Sequence, residues 1–196
     1  MLKRLAVVML VGYGAWHYWH TRPVSHAPGV TAAADPQQFD IENGTPFTFK
    51  GYRLTPLARF RLEARVLGAE HYRLGRESDL SPVDLALGWG PMSDSGVLSH
   101  LKISQGNRFY YYSWENDPPI APPEIIAHSA NMHMIPADAM VEKRLEAVRP
   151  GNIVALQGQL VSIEASDGWR WRSSVTRSDT GDGACEVVWV SDVQVH

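Results

Sequence analysis

The chain has 196 residues, 44% apolar and 20% charged, enough for one buried core plus a tail and too hydrophobic for intrinsic disorder. Its formal charge of −3 with histidines neutral leaves no basic excess to grip nucleic acid. A single cysteine excludes an intramolecular disulfide and the cysteine-rich zinc patterns.

The N-terminus differs in kind from the rest. Lys3 and Arg4 make a basic start, Leu5 to Ala15 is apolar and uncharged, and Trp16, Tyr18 and Trp19 follow as an aromatic cluster. This order reads as a membrane segment with an interfacial aromatic belt. As a helix, Leu2 to His20 would measure about 28 Å, close to the roughly 30 Å of a hydrocarbon core. A cleaved signal segment is the rival reading, but bulky Trp and Tyr stand where small cleavage-site residues are needed. The expected layout is a membrane anchor (or signal segment) over 1–20, a flexible linker over 21–38 and one β-rich domain over 39–196. Pro23, Pro28, Gly29 and Pro36 support the linker. Basic residues on the near side place residues 5–19 in the inner membrane as a single pass, with the C-terminal domain in the periplasm.

Beyond the linker the pattern is mainly β. Phe60, Leu62, Ala64 and Val66 alternate with Arg61, Glu63 and Arg65, as in a half-buried strand with a solvated outer face. Leu80-Ser-Pro-Val-Asp-Leu carries a helix-start signature: Ser81 as cap, Pro82 at the first position, Asp84 closing the box. A short helix is expected near 82–87, ended by Gly88-Trp-Gly-Pro. Trp89 between glycines suits a stacking platform for a ring-shaped ligand, although folding onto the core is the favoured use of so large an aromatic.

Gln105-Gly106-Asn107 breaks the next sheet region, Leu101 to Trp114, with a hairpin or a bulge. Its second strand sets Arg108, Tyr110, Tyr112 and Trp114 on one face, a candidate surface for sugar rings or a partner protein; ordinary β-propensity of aromatics explains it too. Pro118, Pro119, Pro122 and Pro123 read as a stiff loop. His128 and His133 follow, with Asn131 between. A spacing of five sends them to opposite faces of a strand and about 140° apart on a helix, so they are poor joint metal ligands.

Pro136 to Val148 is an amphipathic helix with Met140, Val141, Leu145 and Val148 as its apolar stripe. A long strand, Ile153 to Ile163, carries Gly158 at its middle, the mark of a bend or bulge. Trp169 and Trp171 alternate with Arg170 and Arg172, which predicts buried rings and exposed guanidiniums rather than a base-stacking surface. The Asp179-Thr-Gly-Asp-Gly loop lacks the spacing of a calcium loop and reads as a tight turn. Cys185 falls in the last strand region with Val187 and Trp189, an apolar set, and is expected to be buried and unreactive.

The helix, then Arg-Pro-Gly-Asn-Ile-Val-Ala-Leu-Gln-Gly-Gln-Leu-Val, then further strands resembles the second half of an oligonucleotide/oligosaccharide-binding (OB-like) barrel, which places a helix before its fourth strand. The whole chain, through Asn-Met-His-Met-Ile-Pro-Ala and Trp-Arg-Trp-Arg-Ser-Ser-Val-Thr-Arg, resembles uncharacterised membrane-anchored proteins of Gram-negative bacteria. That resemblance implies a location and supplies no mechanism. The expected fold is therefore β-rich (α+β): a membrane helix followed by a curled antiparallel sheet or OB-like partial barrel with two short helices.

Two functions fit. The first is a membrane-tethered cell-envelope module that binds a protein or glycan partner without chemistry, through Trp89, Tyr110, Tyr112 and Trp114. The second is a hydrolase or transferase with Cys185 as nucleophile, His128 or His133 as base and Asn131 as orienter. No metal, cofactor or nucleic acid is expected. Binding is favoured, because convergence of three catalytic groups is not readable from one sequence.

Overall fold

A computed structural model describes residues 9, 12–14, 22–176, 181 and 183–196. The chain is β-rich. One mixed sheet contains β1 (Gln37–Asp40), β2 (Phe47–Phe49), β3 (Tyr52–His71), β4 (Val83–Gly88), β7 (Ser129–Pro136), β8 (Ile153–Glu164), β9 (Arg170–Arg172) and β10 (Glu186–Val195). A separate hairpin pairs β5 (Leu101–Gly106) with β6 (Phe109–Trp114). Four short α-helices punctuate the strands: α1 (Arg76–Leu80), α2 (Ser95–Leu98), α3 (Pro122–Ala127) and α4 (Ala139–Glu146).

Strand pairings run β3–β4–β7–β10–β8 and return from β8 to β3, so five strands close on themselves. Closure needs long, bent strands. β3 spans twenty residues and breaks register between Pro56 and Ala58 and again between Val66 and Gly68. Each irregularity lets the strand turn while keeping both neighbours. In β8, a Cβ on Gly158 would stand 2.0 Å from the Trp189 carbonyl oxygen. Only glycine lets β8 and β10 approach so closely there.

On the outer face foreseen for β3, Arg61 and Glu63 are exposed but Arg65 is buried, its guanidinium donating to the Ser93 carbonyl and the Ser95 hydroxyl. On the inner face Phe60, Leu62, Ala64 and Val66 are buried as expected. The ring interior collects these with Val83, Leu85, Leu87, Met132, Met134, Leu156, Val188 and Val190. Part of the outer wall is also covered. Leu54, Ile135, Val161, Ile163 and Val187 pack outside the ring against Phe47, Phe49, Tyr52, Trp169, Trp171 and Trp189. Trp189 meets Phe47 and Phe49 edge-on at 5.0 and 4.5 Å, a favourable aromatic geometry. Trp169 and Trp171 are half-buried in this outer layer, less covered than expected, while Arg170 and Arg172 stay exposed.

Three expectations need correction. The helix near 82–87 is strand β4, every residue of it buried. Ser81 terminates α1 instead of starting a helix. Its hydroxyl lies 3.5 Å from Asp84, so the box-like pair exists but sits at a strand entry. Coverage of both faces of β4 outweighed the local cap. The sheet is also not purely antiparallel. The chain leaves β7, crosses by α4 and β8, and returns as β10 parallel to β7. Finally, the proline-rich loop holds the one-and-a-half-turn helix α3, with prolines at its first positions where no amide is needed.

Helix α4 starts later than the expected Pro136, which instead ends β7; the Asp138 carboxylate caps it by accepting from the Met140 and Val141 amides, which contributes about 1 kcal/mol. Val141, Leu145 and Val148 are buried against the ring, but Met140 faces solvent. Residues 22–36 run without regular structure, as their prolines require, yet they are pinned to the domain. Val24 donates to the Pro150 carbonyl, Gly29 donates to Asp94, and Ala32 is 1% exposed beneath bonds from Ser93 and Gly90. Gly151, at φ +89°, has no room for a side chain because the Val24 carbonyl lies against it. Among the described residues no helix is long and apolar enough to cross a membrane. The anchor expected over 5–19 lies outside the described residues except for Met9 and 12–14, which are helical.

Candidate functional site

Strands β4 and β7 expose a second face to the outside of the ring, and the β5–β6 hairpin lies across it. The hairpin forms because Asn107 and Arg108 adopt φ of 53° and 69°, the left-handed pair of a tight two-residue turn. That turn projects the Arg108 side chain onto the barrel. Its guanidinium donates to Asp84 Oδ1 at 2.7 Å and to the Ser81 carbonyl at 2.9 Å, and stacks 3.9 Å from the Tyr72 ring centre. Asp84 is fully buried. A buried carboxylate needs such compensation, since an unpaired charge in the interior is strongly unfavourable.

His133, 5% exposed, faces the same carboxylate, its Nδ1 3.0 Å from Asp84 Oδ2. The contact has ion-pair distance without hydrogen-bond alignment. Trp171 covers the imidazole at 4.9 Å between ring centres. Asn131 completes the seam: its amide accepts from Gln105 at 2.9 Å and donates to the Arg108 carbonyl at 2.8 Å. The hairpin is thus clamped to the ring by a polar network built on Asp84, Arg108 and Asn131.

Beside this seam opens a cleft of about 220 Å³. Tyr110, Tyr112 and Phe109 from β6 form one wall. Trp89 and Ile126 line its apolar depth, and Asn131, Cys185 and Glu186 bring polar groups from β7 and the start of β10. The Tyr110 hydroxyl is bonded to Ser129 at 2.6 Å, and burial pushes its pKa above the ordinary phenol value. Tyr112 leans on both neighbours, 5.5 Å from Tyr110 and 6.3 Å from Trp114.

The two expected residue sets converge only in part. Trp89, Tyr110, Tyr112, Asn131 and Cys185 all line the cleft, whereas Trp114, His128 and His133 do not. Trp89 is 1% exposed and belongs to the ring's apolar core, so core packing is its main occupation. His128 caps α3, its Nδ1 2.8 Å from the Glu124 carbonyl. His133 faces Asp84. Both imidazoles are engaged in the structure, and neither engages the thiol. Cys185 differs from the expected buried strand position: β10 begins at Glu186, and the half-buried thiol turns toward the cleft, 3.9 Å from the Arg108 carbonyl. The sequence reads Asp84 as a helix-box residue and Arg108 as a neighbour on the aromatic face, so their pairing was missed, as was Glu186. The signal for Asp84 was its place as a lone acid within the apolar run Val83 to Leu87, which demands a buried partner.

Among the described residues no group of three or more His, Cys, Asp or Glu is placed to hold a metal ion. Ser178, Asp179, Thr180 and Asp182 of the expected turn lie outside the described residues. No family model matches the chain, and no curated protein or solved structure shows significant similarity to it.

Proposed function

We propose that this chain is a binding module of the OB-like barrel type, tethered in the cell envelope, whose aromatic cleft receives a ring or apolar side chain of a protein or glycan partner. The barrel type is supported by the five-strand closure, the helix α4 between β7 and β8, the parallel β7–β10 pair and the bend at Gly158. The tether and the periplasmic location rest on Lys3, Arg4 and the apolar and aromatic residues that follow.

The observation that carries the binding reading is the cleft itself. It joins three β6 aromatics to a few fixed polar groups, the usual make-up of a recognition site. At about 220 Å³ it is smaller than the roughly 300–1,000 Å³ of pockets that engulf a drug-sized molecule, so it suits one anchoring group of a larger partner. Both imidazoles are committed to other contacts, so binding describes the site better than Cys/His catalysis.

The test is site-specific photo-crosslinking in the native host, with the reactive amino acid at Ala130 in the cleft or at Lys143 on α4. A discrete adduct from Ala130, lost with Tyr112→Ala and absent from Lys143, is the expected result. Identical adducts from both positions, or none from Ala130, contradict the reading.

A further inference from the structure

A second concave surface lies on another part of the barrel wall, where β1, β3, β8 and β10 run side by side. Strand register aligns its side chains in rows. Phe39, Arg59, Gln159 and Trp189 form one row; Gln37, Arg61, Gln157 and Asp192 form the next. Apart from Asp192, these residues line a groove of about 510 Å³ with no acidic side chain in its lining. Arg59 and Arg61 are exposed, and among the described residues neither enters an ion pair. Of the nearby carboxylates, Asp192 pairs with Arg144 and Asp40 accepts from Gln38, while Asp35 and Glu63 lie beyond Arg61 in the adjoining groove and mark the acidic edge of this one. Residues two apart on a strand stand about 7 Å from each other, so the two charges are spaced along the groove.

We infer that this groove binds an acidic saccharide. The two guanidiniums meet its carboxylates, since planar forks match that geometry. The three glutamine amides each donate and accept, which suits the mixed demands of sugar hydroxyls. Phe39, 60% exposed at the rim, offers an apolar surface to a sugar ring. Mounting on paired strands holds these groups in register without ordering a loop at binding. Nucleic acid fits less well, because two cations neutralise only two phosphates and the chain carries a net charge of −3. This site lies on a different wall from the aromatic cleft, and either can fail without the other.

Calorimetric titration of the detergent-solubilised full chain tests it, with tetragalacturonate, maltotetraose, sulfate and a uridine octanucleotide as probes. Tetragalacturonate is expected to bind in a salt-sensitive manner, with maltotetraose weaker by about tenfold or more. The double variant Arg59→Gln, Arg61→Gln is expected to weaken tetragalacturonate by about tenfold with the melting temperature unchanged. If that variant fails to fold, Gln159→Ala serves in its place, with a loss of affinity again expected. No tetragalacturonate binding, equal binding of maltotetraose, displacement by equimolar sulfate, tighter oligonucleotide binding or an unaffected variant each overturns the inference.

Discussion

Removal of the Arg108 guanidinium is the sharpest test of how the hairpin is held. In Arg108→Met the apolar stem is kept and the partner of Asp84 is lost. Breaking a buried pair from one side costs about 3–5 kcal/mol, because the remaining charge is left in the interior. Two features pull the expectation to the low end. Arg108 is 19% exposed at its side chain, and His133 stands 3.0 Å from the other Asp84 oxygen. We expect a loss of about 3 kcal/mol. For a domain of this size that lowers Tm by about 6–12 °C. Urea denaturation followed by tryptophan fluorescence measures it. The companion Asp84→Leu, Arg108→Met removes both charges and is expected to recover at least half of the loss. A single variant within about 1 kcal/mol of the parent, or a double variant worse than the single, would refute the claim that the buried carboxylate needs this arginine.

Three further outcomes follow from other contacts. Gly158→Ala sets a Cβ against the Trp189 carbonyl and is expected to destabilise by about 1–3 kcal/mol in the same denaturation assay, with a parent-like midpoint counting against the close approach. Ser93→Ala frees the Thr31 and Ala32 amides and the Gly90 carbonyl; a loss of about 1–3 kcal/mol and faster proteolysis within 22–36 are expected, and an unchanged cleavage pattern would deny that this segment is pinned. Tyr110 is held neutral by burial, its pKa raised in the folded state above the ordinary value near 10. Its stabilising contribution is therefore complete below about pH 10 and lost as pH climbs through the raised folded-state value. Ultraviolet titration should show a tyrosine that resists ionisation in the folded chain and disappears in Tyr110→Phe; simultaneous ionisation of all tyrosines contradicts it.

The sequence was most informative where one periodicity had one cause. Strict alternation at Phe60 to Val66 located a long strand, and Gly158 located a bend, because each reflects a backbone geometry that few residue types tolerate. Helix α4 was legible from its apolar stripe but not from its cap, since Pro136 ends β7 and Asp138 does the capping; Met140 showed that a stripe read on a wheel does not tell which end of it is covered. Strand β4 was hidden because Ser81, Pro82 and Asp84 satisfy a local rule for helix starts. The competing force, burial of both faces under the ring and the hairpin, is long-range and leaves no local trace. The site was half legible for the same reason. Tyr110 and Tyr112 announced themselves as a face, whereas Asn131 read as an orienter for Cys185 and its place in β7 was not legible. Pairing of Asp84 with Arg108 depends on where the hairpin turn lands, which no spacing within either segment encodes.

The central claim is that a partner occupies the aromatic cleft, and the lone cysteine offers a direct probe of it. Cys185 is half-buried and lines that cleft, so a small maleimide should reach it slowly but measurably in the purified chain. The decisive measurement is the labelling rate of Cys185 in native envelope membranes against the rate in the purified chain. Occupancy by a partner predicts slower labelling in the membranes, restored by Tyr112→Ala. Equal rates in both preparations, with or without Tyr112, would contradict the assignment of this cleft as the binding site.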